Sequence, residues 1–218
     1  MKLERLESQL RLLLNSSDLQ ILMDPLWGSQ NPSHRELIRQ KISELNSDGK
    51  KYSSISHTEG LGIFALASLP LGVDVEVAQR VKESTVGRIS SSKELNETPS
   101  AAALWCAKEA AFKALKMFRQ PSVISGISIG GWQKIDSQFE TFQLLNASEY
   151  EAPLKSHGVV VIYDEYVLSF FVFTLNFGRA LPMSLIRQVL NGKNKNQQAS
   201  GSTERGLSHS CFLSDIIG

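Results

Sequence analysis

The spacing of apolar residues along the chain predicts three helices. Leucines recur every three or four residues over 3–14 with charged residues between them, which places one apolar stripe on a helix. A second helix is predicted over 32–45, where Ser33 and Glu36 form a capping-box pattern ahead of an apolar series. The third, over 100–118, is rich in Ala and Leu and contains neither Gly nor Pro, so it is the best-marked helix of the chain.

Short apolar runs between these helices predict β-strands. The first group of strand-like runs is separated by turn residues and predicts a small antiparallel meander: 54–57, 62–67 and 72–76. The second group follows the third helix: 123–129, 139–145, 159–163 and 167–175. The last two runs are joined across Asp164 and Glu165, which predicts a hairpin. The order helices, strands, helix, strands favours an α+β fold.

Composition and charge narrow the function classes. Lys and Arg number 23 and Asp and Glu number 22, so the net charge of +1 gives no overall field that attracts nucleic acid or an anionic membrane. Two cysteines, Cys106 and Cys211, are too few for a disulfide framework or a four-ligand zinc site. Without an apolar signal stretch or a run of about 18 apolar residues, we expect a cytoplasmic protein that does not cross a membrane.

The first candidate site is a pair of acids on one predicted strand. Asp74 and Glu76 are two residues apart, so their side chains point to the same face of the strand. Two neighbouring carboxylates repel each other unless a positive charge lies between them, and Mg²⁺ is the natural partner for such oxygens. A solvent-exposed strand end explains the same pair without a ligand, so the pattern alone leaves both interpretations open.

The second candidate site lies on the third predicted helix. Glu109 and Lys113 are four residues apart and share a face with Trp105, one turn earlier. An ordinary surface ion pair fits this spacing. Because large apolar residues follow the same stripe, we instead expect this face of the helix to be buried or to line a cleft. There, Glu109 could be a third metal-binding carboxylate and Lys113 could bind a phosphate.

The third candidate site combines Lys50 and Lys51 with the segment Ser54–Ile55–Ser56–His57–Thr58. A histidine at the end of a strand, next to small hydroxyl residues such as Ser56, could hold a phosphate by charge and hydrogen bonds. A structural histidine fits the same pattern.

Taken in order, these segments resemble the 4′-phosphopantetheinyl transferase superfamily, in particular its monomeric, pseudo-dimeric branch. The family patterns GK, SxSH, (P)xGVDxE and WxxKEAxxK are similar to the following segments: Gly49–Lys50, Ser54–Thr58, Pro70–Glu76 and Trp105–Lys113. The resemblance covers residues 49–115 most strongly. It implies a domain over 1–190 with two pseudo-equivalent lobes, about 1–98 and 99–190, each with a small antiparallel sheet packed on a helix. The polar stretch 191–218 is then a flexible tail.

The resemblance also implies an activity and its residues. The family moves the 4′-phosphopantetheine arm of coenzyme A to a serine of an apo acyl or peptidyl carrier protein, with Mg²⁺, and releases adenosine 3′,5′-bisphosphate. Carried over by position, the implied metal ligands are Asp74, Glu76 and Glu109. The implied coenzyme A ligands are Lys50, Ser56, His57 and Lys113, and the implied catalytic residues are Glu109, Lys113 and Glu94. Glu109 ranks ahead of Glu94 as acceptor of the serine proton.

Two other functions stay open at this point. An inactive family member could still bind coenzyme A or a carrier protein without transferring the arm. A metal-dependent phosphohydrolase needs only the same carboxylates and no carrier. Which carrier is modified does not follow from the sequence.

Overall fold

The computed structural model describes residues 2–28, 32–116, 120–147 and 156–173. Helix α1 spans Leu3–Leu13, and its leucine stripe buries Leu6 and Leu10, as the spacing predicts. The next elements are β1 (Gln20–Asp24), α2 (Pro32–Leu45), β2 (Tyr52–Thr58) and β3 (Leu61–Ala67). The three strands form an antiparallel sheet in the order β1-β3-β2, so β2 lies at one edge.

A second antiparallel sheet contains the remaining five strands, in the order β4-β8-β7-β6-β5. They are β4 (Leu71–Val77), β5 (Ile127–Lys134), β6 (Phe139–Ala147), β7 (Ser156–Tyr163) and β8 (Tyr166–Phe173). Three helices separate β4 from β5: α3 (Glu83–Val86), α4 (Ser92–Glu97) and α5 (Ala101–Leu115). The helices and the two antiparallel sheets confirm the α+β class, and β7 and β8 form the predicted hairpin.

The predicted meander is wrong in one respect. β4 does not join the sheet of β2 and β3; it pairs with β8, with Asp74 opposite Ser169. β1, which the sequence reading left out, takes the other side of β3. Alternation of apolar residues predicts which face of a strand is buried, but it does not identify the strand that pairs with it.

A close approach between α5 and β4 places the helix against the second sheet. A Cβ atom on Gly72 would lie only 1.9 Å from the carbonyl oxygen of Ala110 and 2.7 Å from the amide nitrogen of Ala114. Only glycine therefore permits this packing. On the opposite face of β4, Val73 and Val75 are fully buried in a core shared with α1 and the first sheet.

The division of the domain into lobes at about residue 98 stays a prediction. β4 precedes that position and is hydrogen-bonded to β8, which follows it. The described residues all lie within the compact unit 1–178, and the predicted tail over 191–218 lies outside them. In these ranges, none of the helices has the length and apolar character needed to cross a membrane.

Candidate active site

The two acids of β4 lie on the face of the second sheet that α5 covers. Asp74 is 4% exposed and Glu76 is half-buried. Both stand at the free edge of the sheet, because β4 is its terminal strand. The edge of the first sheet meets them there: the Ser56 hydroxyl donates to Asp74 Oδ1 at 2.8 Å, and the Thr58 hydroxyl donates to Glu76 Oε2 at 3.3 Å.

Lys113 reaches the same place from α5. Its Nζ atom lies 2.7 Å from Asp74 Oδ1 and donates to the Ser56 hydroxyl and to the Val73 carbonyl oxygen, each at 3.1 Å. The side chain of Lys113 is 30% exposed, so it is partly accessible to solvent. The structure thus brings together Asp74, Ser56 and Lys113, which come from three different segments.

Glu76 and Glu109 add negative charge around Asp74. Burial, followed by the charge of Asp74, raises the pKa of Glu76 to about 7, against hydrogen bonds from Thr58 and Trp105 and the charge of Lys113. Burial and then Asp74 also raise the pKa of Glu109, again against Lys113. Three carboxyl groups and one lysine give the site surplus negative charge that a further cation would neutralise.

Two buried oxygen atoms in this place have no hydrogen-bond partner among the described residues. They are Asp74 Oδ2 and the hydroxyl oxygen of Ser169, which stands directly opposite Asp74 on β8. Buried polar atoms are normally paired, so these two oxygen atoms could accept a partner beyond those that the described residues supply. Cys106 also lies here, with its Sγ atom 3.5 Å from the Val167 carbonyl oxygen, and burial and then the charge of Asp74 raise its pKa.

The donor set suits a hard divalent cation such as Mg²⁺. Carboxylate and hydroxyl oxygens are its preferred ligands, and the surplus charge and unpartnered Asp74 oxygen fit that chemistry. Within the described ranges, however, no three or more His, Cys, Asp or Glu side chains converge on a ready-made metal site, so Asp74, Glu76 and Glu109 do not form one as they stand.

Two of the implied coenzyme A ligands, Lys50 and His57, lie elsewhere on the surface. Lys50 is 81% exposed and 3.5 Å from Asp48. His57 is exposed and points to the side of β2 opposite Ser56, because successive strand residues alternate. Of the four implied coenzyme A ligands, the structure thus brings Ser56 and Lys113 into contact with Asp74.

Glu94 occupies a different environment from the acids of β4. It completes a capping box at the start of α4, where its carboxylate accepts hydrogen bonds from the Ser91 amide and hydroxyl. Its other oxygen accepts from the Ile129 amide at 3.0 Å and lies 2.8 Å from Lys108 Nζ. Burial opposes the charge, but these hydrogen bonds outweigh it and lower the pKa of Glu94. With these contacts Glu94 is poorly suited to accept a proton, and its predicted catalytic role gains no support.

Sequence reasoning missed the structural parts played by Ser54, Thr58 and Lys108. A signal for the first two was present, since hydroxyl residues at 54, 56 and 58 share one side of a strand. Lys108 gave no such signal, because its burial depends on Glu94 and on carbonyl groups far away in the sequence.

Comparison with known proteins identifies the domain around these residues. A family model of the 4′-phosphopantetheinyl transferase superfamily matches residues 70–170, which include β4, α5 and the first five residues of β8, the strand that pairs with β4. No curated protein matches the chain. The match thus assigns residues 70–170, a little under half of the chain, to the 4′-phosphopantetheinyl transferase superfamily.

Proposed function

We propose that this protein transfers the 4′-phosphopantetheine arm of coenzyme A to a serine of an apo acyl or peptidyl carrier protein. The reaction depends on Mg²⁺ and releases adenosine 3′,5′-bisphosphate. The observation that carries the proposal is the buried Asp74, within a domain of the transferase superfamily: one oxygen is bound by Lys113 and Ser56, and the other has no partner among the described residues.

The transfer exchanges one phosphorus–oxygen bond for another. The carrier serine oxygen bonds to the phosphorus that bears the pantetheine arm, and the bond from that phosphorus to the bridging pyrophosphate oxygen breaks. Negative charge is redistributed over the phosphoryl oxygens as this happens, so catalysis is mainly a matter of position and charge. Lys113, partly exposed beside Asp74, supplies a cation for these oxygens.

Asp74, Glu76 and Glu109 would hold the metal, whose charge stabilises the pyrophosphate oxygens when bound. Glu109 is also the proposed proton acceptor, because its carboxylate lies near Asp74 and Lys113 on the side of α5 that faces β4. The serine proton would pass to this carboxylate. Since Ser56, Asp74, Glu109 and Lys113 all come from one chain, a monomer would possess this complete set of groups.

The proposal is tested by mass spectrometry of apo carrier proteins incubated with the purified protein, coenzyme A and Mg²⁺. A gain of one phosphopantetheine arm on the carrier serine is the expected result, and Asp74→Asn should lose it. Glu36→Gln, which changes an exposed carboxylate on α2, serves as the control that keeps full activity. Unmodified carriers across a panel of acyl and peptidyl types would overturn the proposal.

Two further measurements distinguish the other interpretations. Binding of coenzyme A in a calorimeter without transfer to any carrier would indicate an inactive binding protein. Breakdown of coenzyme A in the absence of carrier would indicate a phosphohydrolase instead.

A further inference from the structure

The edges of the two sheets meet without a shared backbone ladder. β2 is hydrogen-bonded to β3 and β4 to β8, so each presents a free edge to the other. Free strand edges leave backbone groups that need partners. Here Ser54 provides one such partner, and it is the first of a row of hydroxyl residues on β2: Ser54, Ser56 and Thr58.

The first member of the row satisfies the backbone of β4. The Val73 amide donates to the Ser54 hydroxyl at 3.0 Å, and the Val73 carbonyl accepts from Lys113 at 3.1 Å. Because both groups of Val73 point away from β8, Ser54 and Lys113 together close the edge of the sheet immediately before Asp74. Ser54 thereby fixes the position of the strand that bears the acids.

The other two members bind the acids themselves. Ser56 donates its proton to Asp74 and accepts from Lys113, so it orients both partners of the ion pair. Thr58 donates to Glu76 Oε2. A hydroxyl has only one proton to donate, so Ser56 cannot keep its bond to Asp74 and also donate to a phosphate.

We propose that Ser54, Ser56 and Thr58 form a row of positioning residues that sets Asp74, Glu76 and Lys113 in the geometry used for metal binding and transfer. The inference rests on the proposed function for its last step and assigns Ser56 to orientation of the acids instead of coenzyme A binding. Thr58 gives the sharpest test, because its hydroxyl contacts Glu76 at the partly exposed end of the row.

The test compares Thr58→Val, which replaces the hydroxyl by a methyl group of similar size, with Thr58→Ser, which keeps the hydroxyl. Thr141→Val is the matched control, because Thr141 also lies on a strand and donates only to the Gln133 carbonyl, on β5. Mn²⁺ alone is titrated into each protein and followed by water-proton relaxation. Thr58→Val should weaken Mn²⁺ binding about tenfold, as expected for a hydrogen bond to a charged group.

Thr58→Ser should restore Mn²⁺ affinity close to that of the unmodified protein, and Thr141→Val should leave it unchanged. Thermal unfolding of all three variants measures any general loss of structure. Equal Mn²⁺ affinity in Thr58→Val and the unmodified protein would overturn the inference, as would failure of the unmodified protein to bind Mn²⁺ or of Thr58→Ser to restore binding.

Transfer assays on the same samples separate this inference from the proposed function. Lower kcat in Thr58→Val with an unchanged KM for coenzyme A supports a positioning role. A raised KM with unchanged kcat indicates direct contact with coenzyme A and contradicts it. If the unmodified protein transfers nothing to any carrier, the proposed function fails, while the Mn²⁺ titration still decides whether the row positions the acids.

Discussion

Helix α5 carries two lysines that each bind a carboxylate. The two pairs differ in how many of their polar atoms have hydrogen-bond partners. Lys108 lies 2.8 Å from Glu94, and Lys113 lies 2.7 Å from Asp74. They are five positions apart in the sequence, or roughly 140° around the helix, so they point to different sides. At Lys108 the pairing is complete: the fully buried ammonium also donates to the carbonyl oxygens of Ile89 and Ile127.

At Lys113 the pairing is incomplete. The lysine is 30% exposed, Asp74 Oδ2 has no partner among the described residues, and Glu76 and Glu109 add negative charge. Distance alone therefore does not separate a structural ion pair from a functional one. We call the Lys108–Glu94 pair saturated, because its ammonium group and both carboxylate oxygens have hydrogen-bond partners. The Lys113–Asp74 pair is unsaturated, because Asp74 Oδ2 has no partner among the described residues and two further carboxyl groups lie nearby.

The largest expected effect tests the saturated pair. Lys108→Met removes one partner and leaves Glu94 buried beside a neutral side chain, which should lower the free energy of unfolding by about 3–5 kcal/mol. Urea unfolding followed by circular dichroism measures the loss. Lys116→Met, at the exposed end of the same helix, should change stability by less than about 0.5 kcal/mol. Equal stability of the two variants would contradict the structural role of Lys108.

The next effect tests the unsaturated pair. Lys113→Met should lower kcat for transfer by about 10²–10³-fold, because it removes a positive charge from the place where phosphoryl oxygens gain negative charge. The measurement is the rate of carrier modification at saturating coenzyme A. Lys134→Met, at the end of β5, should keep the full rate. A Lys113→Met protein with unchanged kcat would show that Lys113, like Lys108, serves only the structure.

The sequence predicts the elements of this fold better than their partners. Leucine spacing predicts α1, and the Ala-rich stretch predicts α5, because helix periodicity is local. The pairing of β4 with β8 is not predictable in this way, since Asp74 and Ser169 lie 95 residues apart and nothing in the short segment 72–76 specifies that contact. β1 was missed because Gln20–Asp24 shows no clear alternation of apolar and polar residues.

The same limit applies to the site. Strand alternation predicts that Asp74 and Glu76 share a face, and helix spacing predicts that Glu109 and Lys113 share one. The spacing does not show that Lys113 binds Asp74 across 39 residues, or that Glu94 pairs with Lys108. Ser91 and Glu94 have the spacing of a local capping box at the start of a helix. The family resemblance alone did not distinguish this structural role of Glu94 from that of a catalytic acid.

The smallest effect concerns the pH dependence of stability and comes from Glu76. Its pKa of about 7 in the folded protein lies above the ordinary value of 4.5, so the folded state holds this proton more tightly than the unfolded state does. Stability is therefore lost as the pH rises from about 4.5 through 7, where the unfolded chain already carries the charge. Glu76→Gln removes this loss.

We compare the free energy of unfolding of Glu76→Gln with that of the unmodified protein at pH 5 and at pH 8. The difference in favour of the variant should be about 1 kcal/mol larger at pH 8, a modest figure because solvent screens a half-buried carboxylate. Urea unfolding in metal-free buffer at the two pH values measures the difference. Glu109 also has a raised pKa, but it contributes to both proteins and largely cancels. The same stability difference at both pH values would show that the negative charge around Asp74 is already balanced, and the contrast with the saturated Lys108 pair would then disappear.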